Sequence, residues 1–378
     1  MSGSVYGVGL MSGTSADGID AALVRLEGEG AELVAFNTEP WPFEVAEQIL
    51  RLAQPTWDDL EVGGRLNHRI AQHFAEAARK VVRSAGLKPE QILFVGSHGQ
   101  TVRHQPQGRD RFTWQLGHPS IVAALTGWTT VGDFRMADMG HGGQGAPLMP
   151  AFHRALFTEH PGLLVLNLGG IANLTWLGNP LLGWDTGPAN MGSDLIVTQA
   201  THGRLGFDEG GAMALEGRVI PELLALWQIH PFFKKKPPTS TGREAFGQAW
   251  LESWWPQFGD RPMVDLLATY VDWVAWSVAK GIGFLPEPPT GLCVVGGGRH
   301  NRALVEAIET RTGLHRVEAP LDSDAIEAAG FAWLGWRSLR GLAGNAPSVT
   351  GARQAIPLGL IAPGANWPQL ARHIAGVV

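Results

Sequence analysis

Cysteine is almost absent from this 378-residue chain: the single one, Cys293, lies in the apolar run Leu292-Cys293-Val294-Val295. No internal disulfide and no thiolate metal cluster can form, and a reducing cytoplasm is the expected setting. Lysine is scarce too, and Lys+Arg 29 against Asp+Glu 35 leaves a net charge of −6. Without a positive field to hold a phosphate backbone, nucleic acid is not an expected partner. Long apolar runs are missing. Segments such as 162–168 and 274–284 stop well short of the ~18–20 residues that span a bilayer, and the first cation is Arg25, so neither a membrane span nor a secretion leader is read. Charged residues make up only 17% against 44% hydrophobic, which excludes a largely disordered chain. Glycine alone is in excess, 50 residues, nearly twice the usual ~7% and without a collagen period. The length suits two domains of ~100–200 residues each.

The pattern along the chain alternates strands and helices, twice over. Residues 4–10 predict a strand, the Gly/Ser/Thr cluster 12–18 a turn, 19–26 a returning strand and 31–37 its continuation. Apolar spacing of three and four predicts helices over 43–53 and 56–85. A short buried strand over 92–95 is expected to end in the polar loop Gly96-Ser97-His98-Gly99-Gln100-Thr101, with a helix over 119–125. The glycine-rich segment 139–145 is the best candidate for a domain boundary or hinge. After it the opening hairpin recurs: strand 163–168, Gly169-Gly170, strand 171–176. Residues 181–184 lead into Asp185-Thr186-Gly187-Pro188 and a helix over 189–200; 291–295 runs into Gly296-Gly297-Gly298, with helices over 302–312 and 324–339. Three of the six lysines, Lys234, Lys235 and Lys236, sit beside Pro237-Pro238, either as a solvated loop or as a cleft-edge loop that attracts an anion.

Phosphate binding needs small residues and converging amides. Gly13-Thr14-Ser15-Ala16-Asp17-Gly18-Ile19-Asp20 offers both, without the Gly-Lys-Ser/Thr ending of a Walker-type loop; an ordinary tight hairpin is the rival. The turn Leu168-Gly169-Gly170-Ile171-Ala172-Asn173 offers a second grip, and Gly296, Gly297 and Gly298 leave bare backbone on which a flat heterocycle can lie, or merely a close-packed helix entry. Asp185, after an apolar strand, is placed as a general base; its rival role is a helix N-cap. Glu327, in a small-residue helix start, either binds a hydroxyl or favours the helix dipole. His98, His104, His118, His141 and His153 with Asp133 and Asp138 match no recognised zinc spacing, so polar-site or core roles are favoured. The tryptophans are expected mostly to fill cores.

Gly9-Leu10-Met11-Ser12-Gly13-Thr14-Ser15-Ala16-Asp17-Gly18-Ile19-Asp20 resembles, almost letter for letter, the opening signature of the anhydro-N-acetylmuramic acid kinases. Further similar segments follow in order: Ser97-His98-Gly99-Gln100-Thr101, Asp133-Phe134-Arg135, Leu166 to Asn173, Asp185 to Asn190, Ser240 to Glu244, Gly296 to Gly298, Glu327-Ala328 and Val349 to Ala352. The resemblance implies an α/β, two-domain actin-like ATPase fold, a duplicated ribonuclease H-like plan hinged about a central nucleotide cleft. On that plan, 1–135 form the N-terminal domain, completed by a C-terminal helix over 355–378, and 136–354 form the second. It implies ATP and Mg²⁺ as cofactors, with Gly13, Thr14, Ser15, Ala16, Asp17, Gly18, Ile19 and Asp20 as the first phosphate loop. Gly169, Gly170 and Asn173 belong to the second, and Gly296, Gly297 and Gly298 lie beside the adenosine. Asp185 becomes the catalytic base, and Arg135, His98 and Glu327 become substrate contacts, Arg135 for the lactyl carboxylate. The first strand ends in Leu10-Met11-Ser12 where many relatives place an acid, so the metal ligand is left unassigned. The expected activity is ATP-dependent opening and phosphorylation of 1,6-anhydro-N-acetylmuramic acid in cell-wall recycling, with a homodimer suggested. The alternatives are a levoglucosan-type anhydrosugar kinase and an actin- or chaperone-like ATPase switch.

Overall fold

The computed structural model describes residues 4–54 and 59–377. Its chain divides into two compact units, 1–156 with 324–378 and 157–323. The first unit opens with β1 (Val5–Ser12), β2 (Gly18–Glu27) and β3 (Gly30–Pro40), then α1 (Phe43–Leu52), α2 (Leu60–Ser84), β4 (Ile92–Gln105), β5 (Phe112–Leu116), α3 (Pro119–Thr126), β6 (Thr129–Gly132), α4 (Phe134–Gly140) and α5 (Met149–Leu156). The second carries β7 (Leu164–Leu168), β8 (Ile171–Trp176), β9 (Leu182–Pro188), α6 (Asn190–Ala200), α7 (Ala212–Glu216), α8 (Pro221–Gln228), α9 (Arg243–Phe246), α10 (Gln248–Phe258), α11 (Met263–Ile282), β10 (Leu292–Val295) and α12 (Arg302–Thr312). The chain then returns to the first unit with α13 (Ile326–Leu339), α14 (Pro347–Thr350), β11 (Leu360–Ala362) and α15 (Trp367–Val377).

One strand order occurs in both units. In the first sheet β3, β2 and β1 pair antiparallel, β4 and β6 continue in parallel from β1, and β11 closes the edge. In the second, β9, β8 and β7 pair antiparallel and β10 lies parallel to β7. This is the duplicated ribonuclease H-like α/β plan. Parallel strands need long crossovers, and helices between β3 and β4 and between β9 and β10 supply them.

Each unit has its own apolar core. In the first, α2 turns Leu66, Ile70, Phe74 and Val81 onto Leu10, Ile19 and Val95 of the sheet. The start of the predicted helix over 56–85 falls partly outside the described residues; the described helix begins at Leu60, capped by Asp59, whose Oδ1 accepts the Val62 amide at 2.9 Å. In the second, Trp227, Trp250, Trp254, Trp273 and Tyr270 pack ring against ring, with Trp250 and Trp273 stacked at 5.5 Å. Those indoles are core, as expected for most of them.

Several boundaries differ from the sequence expectation. The segment after residue 95 is no loop: β4 runs on to Gln105, because β5 pairs with Gln100–Gln105 and satisfies its backbone. The segment 139–145 is no domain boundary. Buried Asp138 pins it by accepting the Gly145 amide, Asn345 Nδ2 and the Thr350 hydroxyl, each at 2.8 Å. The units divide at 156/157 and 323/324, not at 135/136 and 354/355, because α5 packs Phe152 on Trp333 of α13 within the first unit. Residues 355–378 hold a strand, β11, as well as a helix.

His153 on α5 is a buried core residue, and burial alone pushes its imidazole down to about 4. The unfolded imidazole titrates near 6.5. Stability is therefore complete above that value and is lost as pH falls from 6.5 through 4, by about 3 kcal/mol at the limit for this one group. Urea unfolding across this range is expected to show a shallower pH slope for His153→Phe than for the parent chain; equal slopes would mean that His153 is not the cause.

Candidate active site

Chemistry-bearing residues cluster where strands end or turn, and each unit contributes its own set. In the first unit the β1–β2 turn is closed by the Ala16 amide donating to the Gly13 carbonyl at 3.2 Å, with Ala16 itself left-handed at φ 54°. A left-handed residue after a turn directs successive N–H groups to one side, the geometry of an anion nest. Thr14 and Ser15 are exposed at the tip, while Ala16, Gly18 and Ile19 are buried beneath it. The Ser15 hydroxyl and the Gly18 amide both donate to Asp17 Oδ1, at 3.0 and 3.1 Å, so Asp17 shapes the turn from within. Two supports were not anticipated. Gln100 Nε2 donates to the Gly13 carbonyl at 3.0 Å, and buried Ser12 links the turn to Trp41, accepting its indole N–H at 2.9 Å and donating to the Gly18 carbonyl at 2.6 Å.

Asp20 pairs across the sheet with Met11 on one side and Thr38 on the other, and accepts the Thr38 hydroxyl at 2.7 Å. Burial, then the negative charges of Asp17 and Asp324, hold its carboxyl above the ordinary range. Glu327 in the first turn of α13 is raised likewise, by burial first and Asp20 second, with Arg135 opposing. Arg135 Nε donates to His98 Nε2 at 3.0 Å, Nη2 lies 2.8 Å from the same atom, and Nη1 donates to the Gly145 carbonyl at 2.7 Å. Burial lowers this guanidinium to about 10, partly offset by Glu327 and Asp138. Burial and then the Arg135 charge hold His98 well below the usual histidine range, so its ring is neutral. The first unit thus brings Asp20, Glu327, Arg135 and His98 into one electrostatic group. Among the described residues no three His, Cys, Asp or Glu side chains converge as a metal cage.

In the second unit the turn at Gly169-Gly170 is gripped by the start of α6: the Asn190 amide donates to the Gly169 carbonyl at 3.0 Å, and the Ala189 and Met191 amides donate to Gly170 at 3.0 and 3.2 Å. Antiparallel register places Asn167 of β7, Asn173 of β8 and Asp185 of β9 in one row. Asp185 lies within a strand, because β9 continues to Pro188 past a bulge at Ala172/Asn173. The N-cap alternative falls with that, since Ala189 occupies the cap position of α6. Asp185 Oδ2 accepts the Thr241 amide at 2.8 Å, its amide donates to the Thr239 carbonyl at 2.9 Å, and its carbonyl accepts the Thr239 hydroxyl at 2.8 Å. The loop carrying Lys234–Lys236 therefore straps the aspartate. The Thr239 and Thr241 contacts bridge 54 and 56 residues of chain, which no local pattern signals.

Gly296, Gly297 and Gly298 follow β10, and the first and third lie against the second turn. A β-carbon at Gly296 would overlap Asn167 Oδ1, and one at Gly298 would meet Leu168 Cβ at 2.6 Å. Only glycine allows so close an approach. Asn301 caps α12, its Oδ1 accepting the Leu304 amide at 3.0 Å. Cys293 is buried on β10, where burial pushes its thiol up to about 12.

The sequence profile described as anhydro-N-acetylmuramic acid kinase matches residues 5–364. The anhydro-N-acetylmuramic acid kinase of Shewanella amazonensis is 41% identical over 377 residues, 97% of this chain and 100% of that protein; that of Xylella fastidiosa is 43% identical over 367 residues, 94% and 96%. Among solved structures, component A of the (R)-2-hydroxyglutaryl-CoA dehydratase of Acidaminococcus fermentans is 16% identical at a TM-score of 0.45, over 88% of this chain and 98% of that one. The ROK hexokinase of Thermus thermophilus is 17% identical at 0.38, over 88% and 99%. No helix among the described residues is long and apolar enough to cross a membrane. The sequence matches favour an anhydro-N-acetylmuramic acid kinase over a levoglucosan-type kinase or an ATPase switch, and with identity near 40% over almost its whole length the chain belongs to the anhydro-N-acetylmuramic acid kinase family.

Proposed function

We propose that this chain opens the 1,6-anhydro bridge of anhydro-N-acetylmuramic acid with water while ATP phosphorylates the oxygen released, giving N-acetylmuramic acid 6-phosphate in the recycling of cell-wall peptidoglycan. The observation that carries this reading is the setting of Asp185, half-buried inside β9 beside Asn173 and held at one carboxylate oxygen by the Thr241 amide. Bridge opening needs one base. Water attacks the anomeric carbon and its proton passes to Asp185; the bond from that carbon to the bridging oxygen breaks, and the oxygen takes the γ-phosphoryl group as ADP leaves. No covalent enzyme intermediate is required.

In this scheme the turn Gly13 to Asp20 and the turn holding Gly169, Gly170 and Asn173 bind phosphates through backbone amides, and Gly296 to Gly298 lie beside the adenosine. Arg135 takes the lactyl carboxylate: each terminal guanidinium nitrogen uses one proton inside the protein and keeps a second. His98 orients Arg135, and Glu327 binds sugar hydroxyls. Mg²⁺ is commonly held by only one or two carboxylates, with phosphates and water completing its shell. Asp20 fits that requirement, because the repulsion it suffers from Asp17 and Asp324 is what a cation would offset. When bound, the ion neutralises charge on the phosphates.

Incubation with ATP, Mg²⁺, ¹⁸O-water and the anhydro sugar tests the scheme. The label is expected at the anomeric hydroxyl of a phosphorylated sugar, read promptly before ring-opening exchange removes it. ATP hydrolysis without phosphorylated sugar would overturn the proposal.

A further inference from the structure

β1 and β4 run parallel and in step from Gly7 beside Phe94 to Leu10 beside Ser97, and then fall out of step, since Ser12 stands beside Gln100. Two steps along β1 match three along β4, so β4 carries one extra residue, a bulge at His98-Gly99. Gly99 permits it: its φ is 76°, and a β-carbon there would lie 2.6 Å from the Leu116 carbonyl oxygen. A bulge re-aims the side chains around it.

The two residues flanking Gly99 reach different parts of the site. Buried His98 accepts Arg135 Nε at its Nε2, 3.0 Å away. Gln100, wholly buried, directs Nε2 to the Gly13 carbonyl at 3.0 Å and to that of Thr101 at 3.3 Å. Both partners are carbonyl oxygens, which fixes that atom as the nitrogen of the side-chain amide. The Gly13 oxygen is the same one that accepts the Ala16 amide and closes the β1–β2 turn. Ser12 and Trp41 hold the turn elsewhere, at the Gly18 and Asp17 carbonyls. Gln100 holds it at Gly13, from the strand that carries His98. Direct contacts therefore lead from Arg135 through His98, the bulge and Gln100 into the turn.

We propose that Gln100 is a positioning residue for the first phosphate loop, and that the β4 bulge couples the two ligands, so that sugar bound at Arg135 tightens the hold on ATP. The inference rests on the function proposed above. A carboxylate on Arg135 fixes the guanidinium that His98 accepts from. With His98 ordered, Gly99 and Gln100 lose freedom, and the turn is held at Gly13 before the nucleotide arrives. ATP binding then costs less ordering entropy. Linkage makes the effect mutual, ATP tightening the sugar by the same factor. A nucleotide held loosely until sugar is present is also less exposed to hydrolysis by stray water.

Calorimetry on the full chain with Mg²⁺ and β,γ-imido-ATP, whose bridging nitrogen resists phosphoryl transfer, measures nucleotide affinity with and without saturating 1,6-anhydro-N-acetylmuramic acid. In the parent the sugar is expected to tighten the nucleotide by about 10-fold, within the ~5–150-fold span of such couplings. Gln100→Met keeps the volume and removes the donor, and the gain is expected to fall below about 2-fold. Trp41→Phe removes a support of the same turn that does not run through β4. It is expected to weaken the nucleotide equally in both conditions, leaving the gain at its parental value. A purely structural role for Gln100 would likewise lower both affinities and leave the gain intact, which would overturn the coupling, as would a gain lost equally in Trp41→Phe. Should Gln100→Met fold poorly, amide hydrogen exchange in the parent decides: sugar alone is expected to slow exchange across residues 13–18, and unchanged exchange would overturn the coupling. A sugar that binds the parent without altering nucleotide affinity would overturn the coupling alone. A parent chain that binds no anhydro sugar would instead overturn the proposed function, and the coupling with it.

Discussion

Asp185→Asn is expected to lower turnover by at least ~10²–10⁴, the range attributed to general-base catalysis, while retaining affinity for both ATP and sugar. The replacement is isosteric, and its amide oxygen can still accept the Thr241 amide that Asp185 Oδ2 accepts at 2.8 Å. β9 and the loop strapped to it should stay in place, leaving the melting temperature near that of the parent. What is lost is the lone pair that takes the proton from water. The measurement is kcat with saturating ATP and sugar, beside calorimetric affinities for each ligand. A large fall in kcat at constant affinities marks an interaction made only in the transition state. Near-normal turnover would remove Asp185 from the reaction, whereas loss of sugar binding would reassign it to ground-state recognition.

Asp185 was legible in the sequence because an apolar strand delivered a carboxylate into Thr-Gly-Pro, and because the flanking segment resembles a family motif. Its position inside β9 was not, since a bulge opposite Ala172/Asn173 carries the pairing on through residues that look like a turn. The same limit applied to β4. Ser97, His98 and Gln100 are polar and were expected in a loop, yet they are buried in a strand whose partner, β5, is too short to announce itself. The repeated hairpins were readable from local alternation, whereas the unit boundaries were not, because α13 returns to the first unit after 167 residues spent in the second, counting 157–323 inclusive. Turn composition located the phosphate loops. Their supports, Gln100 under Gly13 and Trp41 against Ser12, lie 87 and 29 residues away and leave no periodic trace.

Gly9→Ala is expected to cost about 3 kcal/mol or more and to weaken sugar binding as well. Gly9 of β1 stands in parallel register with Gly96 of β4, and α13 crosses the pair backbone to backbone. A β-carbon at Gly9 would overlap the Ala328 carbonyl oxygen, and one at Gly96 would overlap that of Phe331. Neither obstacle is a flexible side chain that can swing aside. A single added methyl must therefore lift the helix that packs buried Ala328, Phe331 and Ala332 on the sheet. Glu327 immediately precedes Ala328, so its separation from Asp20 and Arg135 changes with the same displacement. Gly64→Ala is the control: nothing lies within 4 Å of a β-carbon there, and in mid-helix the change should be neutral or stabilising by up to ~1 kcal/mol. Denaturant unfolding and the sugar KM of both variants separate the cases. Parental stability and an unchanged KM in Gly9→Ala would show that α13 does not rest on the bare backbone of β1 and β4, and the placement of Glu327 would lose its support.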